Sequence, residues 1–512
     1  MRDVQRRPPR ILIGAAVLAC ALAAIPLVYL VVRVGGAGWE EIVAVFDRPR
    51  VPQLIANTVL LAASVTLAAV VLGVPTAVVL ARTRVPARAL WAVLAALPLA
   101  MPSYLAAYGW LAALPWMHGF WAAWFVLTLV GVPYVTLPVA AALRASTTSL
   151  DDVARSLGRG PIGAFRVGTW PQIKPATLAG ALLVCLYTLS DFGGVALFRF
   201  PVLTTAIQQA YGASFNRDYA AILATLLVSL AVAVVVAEQV VRGRAARRMG
   251  AAAGPVRQRL IRLGRFTAPA IGLLVAVPLL AVGVPVAVLV ARLFEAETLR
   301  VFDPAELLAA AGNTLLLAAG GALVALALAL PIGVLAGRYR GRMVRVIESA
   351  GSLPLGLPGI VVGLSLVFFS LAVVPALYQT AFVLAFAYGV LFMPKAIGGI
   401  RSATAQVPRS LEDVSRTLGH GQVRTWWLVT ARLARPGIAA AALLVAVTAM
   451  KELPATLLLR PTGTDTLATE LWSRTDVAAY GSAAPYAVAL IVVAAVPAFL
   501  LSQARGVPEA AA

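Results

Sequence analysis

Apolar residues along this chain neither alternate nor keep to one helical face. They come in blocks that are apolar all round, separated by short polar connections. Each block has roughly 20 residues, enough to cross a hydrocarbon core of about 30 Å as a helix. The pattern predicts spans at 11–32, 54–81, 89–113, 120–143, 176–198, 219–241, 268–291, 310–337, 350–374, 378–400, 437–459 and 484–503. The expected fold class is therefore all-α, a polytopic membrane protein with about twelve transmembrane helices. The proline-rich stretch Leu97-Pro98-Leu99-Ala100-Met101-Pro102 should kink or break its span.

The chain repeats itself. Asn57-Thr58-Val59-Leu60-Leu61 opens the second span and Asn313-Thr314-Leu315-Leu316-Leu317 the eighth. Ser149-Leu150-Asp151-Asp152-Val153-Ala154-Arg155-Ser156-Leu157-Gly158 returns as Ser410-Leu411-Glu412-Asp413-Val414-Ser415-Arg416-Thr417-Leu418-Gly419. An even number of spans per copy makes the copies parallel, related by an axis along the membrane normal. The expected organisation is a first repeat over 1–241, a basic linker over 242–267, and a second repeat over 268–512.

Composition agrees: 61% of the 512 residues are hydrophobic and only 12% charged, too few charges to cover a soluble protein of this size. A net charge of +21 invites a nucleic-acid reading, but inner-membrane proteins keep Lys and Arg on the cytoplasmic side and are basic by default. No nucleic-acid partner is expected; the lipid bilayer is. With both termini in the cytoplasm, most of the 42 Lys and Arg fall inside, including Arg82, Arg84, Arg88 and the stretch Arg242 to Arg265, while Glu40, Glu41, Asp47, Glu295, Glu297, Asp303 and Glu306 fall outside. Cys20 and Cys185 both lie in apolar runs, which argues against a structural disulfide. Val17-Leu18-Ala19-Cys20 is a poor lipoprotein box, because Leu18 is bulky and the apolar run continues; the first span is expected to be uncleaved.

Two long polar connections, 144–175 and 401–436, carry the strongest signal. Ser149 with Asp152, and Ser410 with Asp413, have the spacing of a capping box. Gly158 and Gly419 then sit where a helix ends on a residue with positive φ. A second helical stretch with apolar side chains follows, Phe165, Val167 and Trp170 in one copy and Trp426, Trp427 and Val429 in the other, and Lys174-Pro175 and Arg435-Pro436 close the loops. A single such hairpin reads as a surface linker; two matching ones point to docking on a twofold partner.

The run Asp152-Val153-Ala154, three residues, then Gly158, with Pro171 further on, resembles the "EAA" loop of binding-protein-dependent ABC transporter permeases; Asp413-Val414-Ser415, three residues, then Gly419 is similar. Asp replaces the usual Glu in both copies, and Arg432 stands where Pro is usual, so the second hairpin is expected to end differently. The resemblance implies that these residues couple the chain to ATPase subunits, a homodimer, on the cytoplasmic face of a bacterial inner membrane. It also implies a periplasmic or lipid-anchored substrate-binding protein outside. None of Lys174, Lys395 and Lys451 follows a glycine, so there is no P-loop of the G-x-x-x-x-G-K-[ST] pattern. The chain is expected to be a transport subunit rather than an enzyme, with no cofactor of its own and Mg-ATP bound by the partner.

Ser190-Asp191-Phe192-Gly193-Gly194 and Lys451-Glu452-Leu453-Pro454-Ala455-Thr456 resemble the matching segments of fused ferric-iron permeases, which implies ferric iron as cargo; thiamine, polyamine and phosphonate permeases share parts of the pattern. Ionisable groups inside spans are costly and functional by default, so Ser190, Asp191, Lys451 and Glu452 are candidate path residues, with Lys451 placed to pair with Asp191 across the repeat axis. No His/Cys/Tyr cluster suggests a tight metal site, and His118 and His420 fall in loops on opposite sides. A major-facilitator transporter also has two parallel halves, but it lacks repeated glycine hairpins. Gly337-Arg338-Tyr339-Arg340-Gly341-Arg342 lacks the Asp of its basic loop. No HExxH or GxSxG motif suggests a membrane enzyme.

Overall fold

A computed structural model describes residues 8–146, 149–212, 216–246, 260–261 and 263–504. Among them the fold is all helical; the one extended contact is an isolated bridge between Thr83 and Ile261. Most of the 242–267 linker lies outside the described residues.

Among the described residues nine helices are long and apolar enough to span a membrane, or eleven elements if two bent pairs are each one span. The twelfth expected span falls in the Tyr480–Ala504 helix, whose apolar stretch Tyr480–Ala495 is shorter. The bent pairs are the third and ninth expected spans. Arg88–Ala100 meets Ser103–Ala113 at 92°, and Arg342–Gly356 meets Gly359–Val373 at 100°. The cause is local. Pro102 and Pro358 push the residues before them, Met101 and Leu357, out of the helical region into extended backbone, and each proline is itself extended. The sequence anticipates the first break but not the second.

The helices form two compact units that do not follow the repeat boundaries. One is Trp39–Arg300 with Ala478–Ala484; the other is Met1–Gly38 with Val301–Val477 and Pro485–Ala512. In the first, Arg50–Arg82 packs on Gly119–Ala145, and Trp170–Ser190 packs on both. Small residues allow this: a Cβ on Gly180 would lie 2.7 Å from the Tyr134 carbonyl oxygen. In the second, Pro304–Arg338 packs on Ala381–Ala405 and Arg432–Met450, with Gly399 against Ala441. Each unit also takes the first helix of the other repeat. Arg10–Ala37 lays Ala16, Ala19, Ala23, Pro26 and Leu30 inward and packs on Pro304–Arg338 and Gly359–Val373. Val284–Leu293 packs on Ser103–Ala113, where a Cβ on Gly109 would meet Pro285 at 2.6 Å.

The repeated Asn-Thr pair does the same work in both units. Thr58 Oγ1 accepts from Leu203 N at 3.0 Å, and Thr314 Oγ1 from Leu467 N at 2.9 Å. Asn57 and Asn313 donate to the carbonyls of Pro201 and Asp465. Each pair pins the start of a short helix, Leu203–Gly212 or Leu467–Asp476, to the body of its unit.

Candidate functional site

In the first hairpin a short helix, Ser149–Ser156, precedes Gly158, which has φ +80°, and Pro161 then opens a helix that runs on to Ser190. The second has Arg409–Thr417, Gly419 at φ +84°, and a helix from Gln422 to Met450. Both glycines close the same turn. Gly158 N–H bonds to the Arg155 carbonyl and Arg159 N–H to that of Ala154; Gly419 and His420 do likewise to Arg416 and Ser415. This double bond is the Schellman arrangement, which requires the left-handed residue in the middle.

Three expectations need correction. The capping box at Ser410 and Asp413 does not form: the helix begins at Arg409, before Ser410, and Pro408 at the cap position offers no side-chain acceptor. The Ser149 side chain lies outside the described residues. Nor do Lys174-Pro175 and Arg435-Pro436 close the loops, because the second arm of each hairpin is the start of the membrane helix and both prolines lie inside it. Finally, Arg432 in place of proline does not make the second hairpin end differently. Both arms carry a π-helical turn that starts at the equivalent position, Phe165–Thr169 and Trp426–Ala431, the second one residue longer.

Neighbours of the expected residues hold the hairpins closed. Asp151 accepts from the Thr169 hydroxyl across its hairpin, and Glu412 accepts from Thr430. A Cβ on Gly168 would lie 2.8 Å from the Asp151 backbone nitrogen, so the first hairpin closes onto bare backbone. Glu412 also pairs with Arg338 at 2.5 Å and lies 4.0 Å from Arg416. Burial works against its ionisation, but hydrogen bonds from Arg338 and Thr430 and the two arginine charges outweigh it and hold its pKa below the usual value. Arg338 binds the Val407 and Thr404 carbonyls as well, tying the end of the Pro304–Arg338 helix to the hairpin base. Ser415 bonds His420 Nδ1 and Thr425 within the turn.

Of the eight residues expected to couple, Ala154 and Ser415 face inward and are buried, while Asp152, Val153 and Val414 are exposed and Asp413 is half-buried. The outer face is apolar. Leu157 is 76% exposed and Leu418 71%, with Leu150, Val153 and Ile162 beside the first and Leu411, Val414, Val423 and Trp427 around the second. Val167 is exposed, whereas Phe165, Trp170, Trp426 and Val429 are half-buried.

The second constellation lies where the fifth and eleventh expected spans break. Pro161–Ser190 stops at Asp191, and a short helix, Gly193–Leu197, follows; Gln422–Met450 stops at Lys451, followed by Pro454–Leu459. Both carboxylates are buried and cap the helix after their break. Asp191 Oδ1 accepts from Val195 N at 3.2 Å; Glu452 accepts from Ala455 N, Thr456 N and the Thr456 hydroxyl. Each also meets the bend of the other broken span in its unit. A Cβ on Gly359 would sit 2.5 Å from Glu452 Oε1, and one on Gly194 would lie 3.0 Å from Asp191 Oδ1 and 3.2 Å from Ser103. Ser190 and Lys451 are half-buried beside these caps. Lys395 Nζ lies 3.4 Å from Thr448 Oγ1, one helical turn before Lys451. No cluster of three or more His, Cys, Asp or Glu suited to a metal occurs among the described residues.

This arrangement has relatives. The family of binding-protein-dependent transport system inner membrane components matches at 69–244 and again at 329–504, each match containing one hairpin, one bent span and one capped break. The Fe(3+)-transport system permease protein FbpB 2 of Haemophilus influenzae is 34% identical over 501 residues, covering 97% of this chain and 99% of that protein. The molybdenum transport system permease protein ModB of Mycobacterium tuberculosis is 30% identical over 44% of this chain and 92% of its own length. The sulfate transport system permease protein CysT of Escherichia coli is 26% identical over 36% and 72%. Two matches in one chain, each holding the same closed hairpin and capped break, make this protein a member of the binding-protein-dependent transport system inner membrane component family, with the family's domain present twice.

Proposed function

We propose that the chain is the transmembrane permease subunit of an ATP-driven ferric-iron importer in a bacterial inner membrane, with both termini and both hairpins cytoplasmic. The observation that carries the cargo is the identity with the Haemophilus influenzae Fe(3+) permease across nearly the whole of both chains; the molybdenum and sulfate relatives match only half as much of this chain or less. The energy source rests on the hairpins. Each offers exposed leucine and valine side chains on a helix held rigid by a glycine turn and a carboxylate–threonine bond, part-buried in the first hairpin and buried in the second, which suits a groove on a separate ATPase subunit. Mg-ATP belongs to that subunit, and this chain needs no cofactor. A twofold pair of ATPases matches two hairpins of one design. An external binding protein delivers the iron, so no tight metal site is required here.

The test is uptake of radiolabelled ferric iron into proteoliposomes holding the chain, its ATPase and its iron-loaded binding protein. Uptake should need all three together with ATP. Uptake without ATPase would return the chain to the secondary-transporter class. ATP-dependent uptake of thiamine, a polyamine or a phosphonate, with iron excluded, would keep the importer and replace the cargo.

A further inference from the structure

The second unit contains a cavity of about 690 Å³ that the transport reading does not use. One wall is apolar. Ile11, Ala15, Leu18 and Leu22 line it from the Arg10–Ala37 helix, opposite Leu328 and Pro331 of Pro304–Arg338. The positions 11, 15, 18 and 22 share one helical face and extend about 16 Å at 1.5 Å per residue. That is the reach of a dozen or so methylenes.

The other end is cationic. Arg338, Arg340, Arg409 and Arg416 line it with a single carboxylate, Glu412, and Trp426 beside them. Glu412 pairs with Arg338 and Thr430 and lies 4.0 Å from Arg416, and Arg409 donates to the Arg338 carbonyl at 3.1 Å. Arg340 and Arg409 are exposed, and the Nε of Arg416 is buried without a hydrogen-bond partner. An apolar trough whose end is lined by four guanidinium groups and one carboxylate is net cationic there, and is complementary to an amphiphile with an anionic head. Under the orientation proposed above, on which this inference rests, the head end faces the cytoplasm and the trough points into the inner leaflet.

We propose that this cavity binds one anionic phospholipid of the inner leaflet. An acyl chain lies along Ile11, Ala15, Leu18 and Leu22, and the phosphate is held by Arg340, Arg409 and Arg416. The lipid then bridges the first helix to the second hairpin, and its phosphate lies within reach of the Arg416 Nε, which is buried without a hydrogen bond. The position of that hairpin becomes sensitive to the anionic-lipid content of the membrane.

Trp426 provides the readout. The full chain, in nanodiscs of phosphatidylcholine, is titrated with phosphatidylglycerol brominated in its acyl chains, and tryptophan quenching is followed. Saturable quenching is expected that brominated phosphatidylcholine does not reproduce and that Trp426→Phe removes. The double variant Arg340→Gln/Arg409→Gln should weaken it at least tenfold. Ala15→Phe, which fills the trough and leaves every charge in place, should abolish it. Inorganic phosphate at matched concentration should not compete. Equal quenching by the two lipids, full competition by free phosphate, or unaltered titrations in both variants would overturn the proposal. Neither ATPase nor iron enters the assay, so its failure leaves the transport reading standing.

Discussion

Gly158 and Gly419 are each held at positive φ by two hydrogen bonds, and an added Cβ would meet nothing within 4 Å. Space is therefore no obstacle; the conformation is. A β-branched residue in the left-handed region costs on the order of 1–2 kcal/mol, and that cost can be relieved only by redirecting the second arm. Gly158→Val and Gly419→Val should each insert normally yet lose co-purification of the ATPase and transport-stimulated ATP hydrolysis; wild-type values in the double variant would leave the hairpins as linkers. Glu412 gives a second expectation. Its pKa is lower folded than unfolded, so its contribution is present in full above the usual carboxylate range and lost as pH falls through the depressed folded value. Hydrogen exchange at the second hairpin should accelerate as pH drops into that window once intrinsic rates are corrected, and Glu412→Gln should show fast exchange at neutral pH with no such transition. The glycines were legible in the sequence because positive φ is a local demand of the turn. The lock was not. Its trace in the sequence is a pair recurring at the same separation in both copies, Asp151 with Thr169 and Glu412 with Thr430, beside the Asp152 and Asp413 of the motif.

Among the elements, hydropathy located the nine spanning helices and the two bent pairs found among the described residues but could not see where a span breaks. A window sum is indifferent to direction, so 89–113 and 350–374 look continuous although both turn by roughly a right angle at a proline. The breaks after Ser190 and Met450 are hidden in the same way, and with them the first duty of Asp191 and Glu452, which is to cap the helix that follows. Asp191→Asn keeps an oxygen for Val195 N–H and removes the charge; Asp191→Ala removes both. Loss of an N-cap costs about 0.5–2 kcal/mol. If capping is the whole role, Asn should retain ferric-iron uptake and thermal stability where Ala loses both. If the charge also faces the path, Asn should keep stability and lose uptake.

At the scale of the whole molecule, sequence repeat and compact unit are different partitions. The repeats at 69–244 and 329–504 are the parts that match the family twice, and neither includes the first helix of its half. Those first helices are exchanged. Arg10–Ala37 packs on helices of the second repeat, and Val284–Leu293 on helices of the first. Periodicity cannot show this, because an apolar helix looks the same whichever bundle it joins. What the sequence does carry is the loop charge that orients the spans. Reporter fusions at Gly254, in the linker, and at Thr298 should report opposite sides of the membrane. The exchange makes a sharper demand. Residues 1–241 expressed alone would leave the inner stripe of Arg10–Ala37, including Ala16, Ala19, Ala23 and Leu30, without the helices it packs on. Residues 242–512 alone would strand Val284–Leu293, whose Pro285 fills the space at Gly109. Each half should therefore be degraded when made singly and survive when the two are co-expressed, with the halves co-purifying although no bond joins them. Transferring 1–38 to the second half should shift stability with it: the fragment pair 39–300 and 1–38 linked to 301–512 should be more resistant to proteolysis as separate pieces than the pair cut at the linker. Equal resistance of the two pairs would show that the first helices hold to their own repeats.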